Sequence, residues 1–519
     1  MMKTITSLLA GSVLALGIAM GANAVTLKMA YDADPVSLDP HEQLSGGTLQ
    51  MAPMVFDPLV RWTQELTFEP RLAESWERID ERTVRFQLRK GVTFHSGNPM
   101  TSADVLWTYN RLKSSPDFKG IFEPFDSLKV IDDYSFDLVT KEAFPLVLHT
   151  ATYIFPMDSK FYTGPDENGE PKDKLVKHAG TYASTHESGT GPYVVTSREQ
   201  GVKVEFDRFS GYWDKASKGN VDKIVMTPIK EAPTRVAALL SGDVDFIAPV
   251  PPTDHQRIAG NDKVNLVALP GTRIITFQLN QERRAEFKDL RVRQAIVHAI
   301  NNEGIVEKIM KGFATAAAQQ SPKGYAGYKE SLKPRYDLNK AKALMKEAGY
   351  EKGFSVTMMA PNNRYVNDEK IAQAVSSMLA KINIKVDLKT MPKAQYWPTF
   401  DERAADIMMI GWHADTEDSA NFTEFLAMCP NKETGAGQYN SGNYCNPKVD
   451  ELIKLSSSET DAQKRAGMLQ EVEQILYDDA AFVPLHWQNL AWAAKKQVDI
   501  APVVNVMNFP FLGDLVIKE

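Results

Sequence analysis

The chain has 519 residues and a formal net charge of −7, from 59 basic and 66 acidic side chains, and 43% of its residues are hydrophobic. A mildly acidic chain without long charged blocks lacks the basic surface that nucleic-acid binding requires. Its length is well above the size at which one hydrophobic core stops growing, so two or three domains are expected.

The first residues predict a cleavable export signal. Met1-Met2-Lys3 gives a positive start, an apolar run extends from Ile5 to Met20, and Ala22-Asn23-Ala24 has the small residues of a cleavage site. The apolar run is too short to span a bilayer comfortably. Cleavage after Ala24 would leave 495 of the 519 residues. An ordinary N-terminal core helix is the alternative, and the positive start and small-residue exit argue against it.

Hydrophobic periodicity in the first half alternates between strand and helix patterns. Thr101 and Asp104 resemble a capping box at the start of a helix. Residues that alternate with polar neighbours predict two half-buried strands, one at Val84, Phe86 and Leu88 and one at Val202, Val204 and Phe206.

Later elements repeat a β-α-β rhythm. One amphipathic helix has an apolar face of Val292, Ala295, Ile296, Ala299 and Ile300, with Arg291, Gln294 and His298 opposite. His298 is therefore expected to be solvated. Gly349 should end the next helix in a left-handed conformation, and Asn383 should end the one that begins near Ile371. The alternation predicts an α/β protein with sheets flanked by helices.

The two cysteines, Cys429 and Cys445, lie 16 positions apart. In an oxidising compartment they most simply form one disulfide. A metal or redox role is the alternative, but the pair has neither a C-x-x-C spacing nor a histidine cluster beside it. Neither cysteine follows the signal, so the mature protein should be free rather than lipid-anchored, as in a Gram-negative periplasm.

The sequence contains few signs of catalysis. None of its nine histidines forms an H-E-x-x-H or other close ligand pair, and no phosphate-binding loop or G-x-S-x-G elbow occurs. No metal or cofactor is therefore expected. An exported hydrolase remains an alternative only by default.

Aromatic and small polar residues cluster in the second half of the chain, as they do in small-molecule pockets. Trp397 and Trp412 can equally be large core residues. The clusters are Asn362 to Tyr365, Gln395 to Trp397, Gly411 to Asp415 and Gln438 to Asn440.

One long motif identifies a family. The stretch from Phe86 to Val105, FQLRKGVTFHSGNPMTSADV, closely resembles the signature of the family 5 extracellular solute-binding proteins, which include dipeptide- and oligopeptide-binding proteins of ABC importers. Further family-like words follow in order: LAESW at 72–76, GTGPY at 189–193, GYW at 211–213, LSGDVD at 240–245 and FKDLRVRQA at 287–295.

The resemblance implies a bilobal, three-domain fold of the periplasmic-binding-protein type. The first lobe would comprise residues 25–58, 188–278 and 499–519, with an extra domain inserted at 59–187 and a second lobe at 279–498. Two hinge strands would cross near Leu279 and Val498. Such lobes close on a ligand by hinge motion, and a membrane permease recognises the closed form.

The resemblance also implies ligand contacts. In peptide-binding relatives an aspartate after a Gly-Trp-x-x pattern holds the α-amino group, and Asp415 is similar to it, with Trp412 and Ala414 beside it. Arg364 or Lys370 could hold the carboxylate. Asp415 capping a helix that starts near Asp418 or Asn421 is the alternative. Further pocket candidates are Tyr365, Trp397 and Tyr439.

The expected role is therefore capture of a di- or oligopeptide in the periplasm for an inner-membrane permease and its ATPase, by a monomer without enzymatic activity. Relatives that bind nickel chelates, glutathione, oligosaccharides or opines share most of these sequence motifs, so the family does not determine the cargo. A periplasmic chaperone is the alternative of a different class, and it would need an exposed apolar surface instead of a pocket.

Overall fold

The computed structural model describes residues 24–32, 37–44, 46–176, 180–414 and 416–518. The expected signal peptide lies outside the described residues except for Ala24. Among the helices that are described, none is both long and apolar enough to cross a membrane.

The first lobe is built on a seven-stranded mixed sheet with β1 at its centre. Strand β1 pairs in parallel with both of its neighbours. Its Leu27 and Met29 face one core and Ala30 faces another, so both faces of the sheet are covered. In spatial order the strands are β12 (Val264–Leu269), β19 (Leu490–Lys495), β11 (Phe246–Ala248), β1 (Thr26–Tyr31), β10 (Lys223–Pro228), β9 (Lys203–Arg208) and β8 (Tyr193–Glu199).

A separate antiparallel sheet lies between β1 and β8 in sequence. Its Phe86 and Leu138 belong to the same core cluster as Leu27, so this inserted part packs directly on the first lobe. The strands, in spatial order, are β4 (Ala73–Arg78), β5 (Thr83–Leu88), β7 (Ser135–Thr140) and β6 (Phe125–Asp132); a small hairpin, β2 (Val60–Trp62) and β3 (Phe68–Pro70), precedes them.

The helices described in this half are α1 (Gly46–Val55), α2 (Ser102–Ser114), α3 (Val147–Ala151), α4 (Ser159–Tyr162), α5 (Tyr182–Thr185), α6 (Ala232–Ser241) and α7 (His255–Ala259). Among them, α1, α2 and α6 are the longer ones, and the others have only four or five residues. Near the C-terminus, two short strands, β20 (Val498–Asp499) and β21 (Val516–Ile517), pair antiparallel in the same half.

The second lobe has a six-stranded sheet whose Ile275 and Phe277 face its main core. Its strands, in spatial order, are β14 (Ala314–Ala316), β18 (Val483–Gln488), β13 (Ile274–Leu279), β17 (Ile407–Trp412), β15 (Ser355–Pro361) and β16 (Lys385–Met391). Its helices are α8 (Leu290–Ala299), α9 (Asn302–Lys308), α10 (Leu338–Glu347), α11 (Asp368–Ala380), α12 (Lys393–Asp401), α13 (Ser419–Leu426), α14 (Pro447–Ser456) and α15 (Ala462–Asp478).

The chain passes between the two sheets twice. Strand β12 belongs to the first sheet and β13 to the second, so the first passage is residues 270–273. Strand β18 belongs to the second sheet and β19 to the first, so the return passage is Asn489. Both passages lie a few residues before Leu279 and Val498, because the strands that end at or before those positions already pair within one lobe.

Local sequence signals correctly located several element ends. Thr101 and Asp104 form the reciprocal capping box of α2. Gly349 and Asn383 adopt left-handed conformations, with φ of 83° and 64°, shortly after α10 ends at Glu347 and α11 ends at Ala380. Each ends its helix because the backbone turns where a right-handed residue would continue the spiral.

Two expectations from periodicity were wrong. His298 is buried, 7% exposed, because the segment before α10 covers that face of α8 and the carbonyl of Arg335 hydrogen-bonds its Nδ1. Val202 is 49% exposed, since β9 begins only at Lys203 and Val202 lies in the preceding turn.

Cys429 and Cys445 form a disulfide. The closed loop begins just after α13 and ends just before α14, and it contains Tyr439. It is tied to the second sheet at Ser441, whose N–H donates 2.7 Å to the Gln278 side chain in β13. The disulfide therefore fixes a loop that already packs on the lobe.

Reduction of this disulfide should lower the free energy of unfolding by about 3 kcal/mol, because the unfolded chain regains the entropy of an open loop. Urea titrations of oxidised and reduced protein measure the difference, and a Cys429→Ser, Cys445→Ser variant should match the reduced protein. Equal midpoints for all three would contradict the expectation.

Candidate ligand-binding cleft

We place the candidate cleft where the central strands of the second sheet meet the passage between lobes. Strand β17 runs antiparallel to β13, with Trp412 opposite Ile274. The residues that follow Trp412 therefore lie beside residues 270–273, and anything bound there lies against the hinge.

Trp412 is held in a fixed orientation on this edge. Its ring lies 5.1 Å from the ring of Phe425 and 4.8 Å from that of Tyr439, both tilted. Its indole N–H donates a 2.8 Å hydrogen bond to Asn421 Oδ1 in α13. Trp412 and Tyr439 remain partly exposed. Because its indole N–H is hydrogen-bonded, Trp412 presents a rigid apolar face, and little side-chain entropy is lost when a ligand packs on it.

His413 joins the hinge to the second lobe. Its Nδ1 lies 2.8 Å from Thr272 Oγ1, and its Nε2 lies 3.4 Å from Glu417 Oε1. Burial, and next the positive charge of Arg273, lower the pKa of His413 to about 3. His413 is thus neutral at neutral pH, although 28% of its side chain stays accessible.

Glu417 is buried and accepts a hydrogen bond from the hydroxyl of Tyr325. Burial, and then the charge of Glu417, raise the pKa of Tyr325 well above its ordinary value, so the phenol remains a proton donor. This chain of contacts connects the hinge, β17 and the segment after β14. We take this polar network, whose members are far apart in sequence, as the floor of the candidate cleft.

The hydroxyl, imidazole and carboxylate of Thr272, His413 and Glu417 are connected in the order of a nucleophilic triad. Two features make them unsuited to that role. Thr272 is only 3% exposed, so its hydroxyl is not presented to the cleft. An imidazole with a pKa near 3 is a poor general base at neutral pH. This arrangement can orient neighbouring side chains, but it does not suit acyl transfer.

Cationic groups surround Tyr365. The guanidinium carbon of Arg364 lies 5.0 Å from the centre of its ring, and its hydroxyl donates a 3.2 Å hydrogen bond to the carbonyl of Gly411 in β17. Burial raises the pKa of Tyr365, while Arg364 and Arg273 both oppose that rise. Both guanidinium groups therefore act electrostatically on the same phenol, next to the strand that carries Trp412.

The first-lobe half contacts the second lobe near these residues. Leu66, in the turn between β2 and β3, packs on the cluster that contains Tyr325, Ala414 and Phe422. His149, in α3, packs edge-on against the rings of Trp62 and Phe68, at 5.0 and 5.1 Å between ring centres. A second contact between the lobes brings His255 of α7 to 3.9 Å from the ring centre of Phe313. The lobes are therefore in contact at two separate places.

An ion pair stabilises the second-lobe wall near His149. Arg465 in α15 donates to both carboxylate oxygens of Asp418 at 2.6 and 2.8 Å, and both side chains are buried. Asp418 also caps α13 by accepting from the Ala420 N–H at 3.0 Å. Burial, with opposing effects of Asp418 and Arg465, lowers the pKa of His149 to about 4.

The structure brings together some of the residues that the sequence singled out. Trp412 and Tyr439 are in contact, and Ala414 is buried beside them. Trp397 packs with Tyr396 and Phe400 in α12, at the margin of the same cluster that includes Trp412. Lys370 is exposed on α11. Asp415 lies outside the described residues.

Sequence reasoning missed Thr272, Arg273, Tyr325, Glu417 and Leu66. None of them stands in a recognisable motif. The one local signal was the pair of small residues Gly271-Thr272 just before the fully buried strand β13. Such a pair indicates a bend in the chain and does not indicate a binding role.

Comparison with known proteins supplies the family. The family model of bacterial extracellular solute-binding proteins, family 5 Middle, matches residues 67–434. The chain is 26% identical to the dipeptide-binding protein of Escherichia coli strain K12, over 94% of each chain. It is 27% identical to the glutathione-binding protein of Pectobacterium atrosepticum, over 89% of this chain and 88% of that one.

The fold has close counterparts among solved structures. HbpA2 from Haemophilus parasuis superimposes with a TM-score of 0.83 at 22% identity, covering 95% of this chain and all of that one. The shared motif, the two sheets joined at the hinge and the extent of the match agree with one another. This chain belongs to the bacterial extracellular solute-binding proteins of family 5.

Proposed function

We propose that this protein is the substrate-binding component of an ABC importer and captures a small peptide between its two lobes. The observation that carries the proposal is the cleft itself, where an anchored aromatic wall and several charged groups lie at the hinge of two lobes. Closure at that point encloses a ligand without any chemical step. A permease that recognises the closed form would then receive the ligand.

A di- or oligopeptide is the cargo best supported. The relatives just named bind a dipeptide and glutathione, and both ligands carry an ammonium group and carboxylates. A cleft with cations near Tyr365 and an aspartate after Trp412 suits such zwitterions. Neutral oligosaccharides carry none of these charges, whereas opines and amino-acid nickel chelates do carry them and are the alternative cargo.

In this proposal Asp415 holds the ligand's ammonium group. Closing the lobes removes water from that ammonium, and a buried charge without a partner is costly. Trp412 and Tyr439 would form the apolar wall beside it. Since Asp418 already caps α13, the helix does not require a second capping aspartate.

For the carboxylate, Arg364 is the stronger of the two candidates. Both side chains are exposed, but Arg364 lies over Tyr365, whose hydroxyl reaches β17, whereas Lys370 lies further along the chain on α11. Arg273 acts on the same tyrosine from the hinge and is a third cation for this role. A guanidinium suits a carboxylate because it can donate two parallel hydrogen bonds.

The proposal includes export. The predicted signal peptide, the disulfide and the family together support action in the periplasm. Binding without turnover fits the buried Thr272 and the weakly basic His413.

Saturating dipeptide should raise the melting temperature of the purified protein, since a ligand that binds only the folded state adds about 2.7 kcal/mol at a hundred times its Kd. Differential scanning fluorimetry with alanyl-alanine and alanyl-leucine measures the shift, and chromatography of the same samples checks that the peptides stay intact. No shift with any peptide, or accumulation of free amino acids, would reject peptide transport.

Asp415→Asn should weaken binding of a peptide with a free amino group by about 2 to 5 kcal/mol, the range for removing one member of a buried charge pair. Calorimetry measures the loss. An N-acetylated peptide should bind wild type and variant equally poorly. Asp387→Asn, which removes an exposed carboxylate on edge strand β16, is the matched control and should bind normally. Full affinity in the Asp415 variant would refute the assignment.

Arg364→Gln should weaken binding of a peptide with a free C-terminus by about 1.5 to 3 kcal/mol, the value of a hydrogen bond to a charged group. The C-terminal amide of the same peptide should lose little. Lys370→Gln serves as the control with an equal charge change, and its affinity should be unchanged. The reverse ranking of the two variants would assign the carboxylate to Lys370.

A further inference from the structure

The β2–β3 hairpin has an unusual residue at its tip. Leu66 has φ of 60°, in the left-handed region. Glycine or asparagine is favoured there, because a side chain at that position costs on the order of 1 kcal/mol. The turn is otherwise well formed: the Thr63 N–H donates to the Thr67 carbonyl at 2.8 Å, and their hydroxyls are 2.8 Å apart. The Leu66 N–H also donates to the Thr63 carbonyl at 3.2 Å, so the left-handed conformation belongs to this three-residue loop, but leucine is not the residue that such a loop favours there.

The side chain of Leu66 meets the second lobe. It packs on a cluster formed by Tyr325, Phe422 and neighbouring residues, although the rest of the hairpin tip, Gln64 and Glu65, is exposed. An apolar side chain at an exposed tip gains its burial only from the other lobe. That burial exists only while the lobes are together.

The second lobe has a matching recess. Gly324 has φ of 100°, and a Cβ atom placed there would come within 2.8 Å of Leu66 Cδ1. Its neighbour Tyr325 is oriented by the Glu417 hydrogen bond and packs on Phe422 with ring centres 5.8 Å apart. A left-handed leucine therefore faces a left-handed glycine across the gap between the lobes.

The hairpin is braced to its own lobe. Gln64 Nε2 donates to the carbonyls of Ala501 and Val504 at 2.7 and 2.6 Å. The rings of Trp62 and Phe68 lie 4.1 Å apart at the base of the turn. Leu66 therefore moves together with its lobe, and its contact with Gly324 forms or breaks when the whole lobe moves.

We propose that Leu66 is a latch that holds the lobes closed by inserting into the recess formed by Gly324, Tyr325 and Phe422, and that it does so without touching the ligand. The inference rests on the proposed closing function. A latch of this kind stabilises the closed state by the same amount for every ligand. It raises affinity uniformly, whereas a residue that contacts the ligand changes affinity ratios between ligands.

Leu66→Gly is the direct test, because glycine relieves the left-handed strain and removes the side chain, so the variant should fold at least as well as wild type. Leu66→Asn is the second variant, since asparagine also tolerates this conformation but brings no apolar contact. Glu65→Ala changes the neighbouring exposed residue and is the matched control. Melting temperatures check that all variants remain folded.

Small-angle scattering of ligand-free protein is the first readout. Both Leu66 variants should shift toward the open form, with a larger radius of gyration than wild type and the Glu65 control. Calorimetry with dialanine and trialanine is the second, and both affinities should fall by a common factor of about tenfold. An unchanged radius of gyration in both variants overturns the latch.

A change in the ratio of the two affinities also overturns it, because Leu66 would then act on the ligand itself. If neither peptide binds wild type, the proposed cargo fails but the latch does not, since the scattering comparison needs no ligand and decides it alone.

Discussion

The antiparallel pairing of β13 with β17 is the constraint on which the site depends. Because Ile274 lies opposite Trp412, the strand that leaves the hinge and the strand that ends at the aromatic wall are locked side by side. The lobes can pivot only about the residues just before β13 and just after β18. The floor of the candidate cleft is therefore connected directly to the hinge, and closure moves the first lobe toward that floor.

Desolvation governs the chemistry of that floor. His413 is kept neutral, Tyr325 is kept protonated, and Glu417 is held between them. A neutral imidazole beside a carboxylate costs less to bury than a charged one would, because its own hydration is weaker. The floor therefore has a fixed arrangement of donors and acceptors before any ligand arrives, which limits the reorganisation required on binding.

The contacts between the lobes described above involve few side chains and differ in their chemistry. The Leu66 contact is apolar, His149 lies near the buried Asp418–Arg465 pair, and His255 meets Phe313 close to the hinge. Small interfaces of this kind permit reversible closure, since a large apolar interface would hold the lobes together permanently. Ligand binding then needs to supply only a modest free energy to shift the balance between open and closed forms.

The sequence by itself determined the family, the α/β class and many element ends, because those depend on short stretches of chain. A capping box at Thr101, left-handed ends at Gly349 and Asn383, and one long motif suffice for them. The pairing of the only two cysteines also followed from composition.

Only the tertiary structure decided which residues share the cleft. Thr272, Tyr325 and Glu417 are separated by many positions and meet through strand pairing and hydrogen bonds that no local pattern encodes. His298 makes the same point: its place on the polar face of α8 was read correctly, but a second segment covers that face. Periodicity reveals which side of an element is apolar, and only packing reveals what lies against the other side.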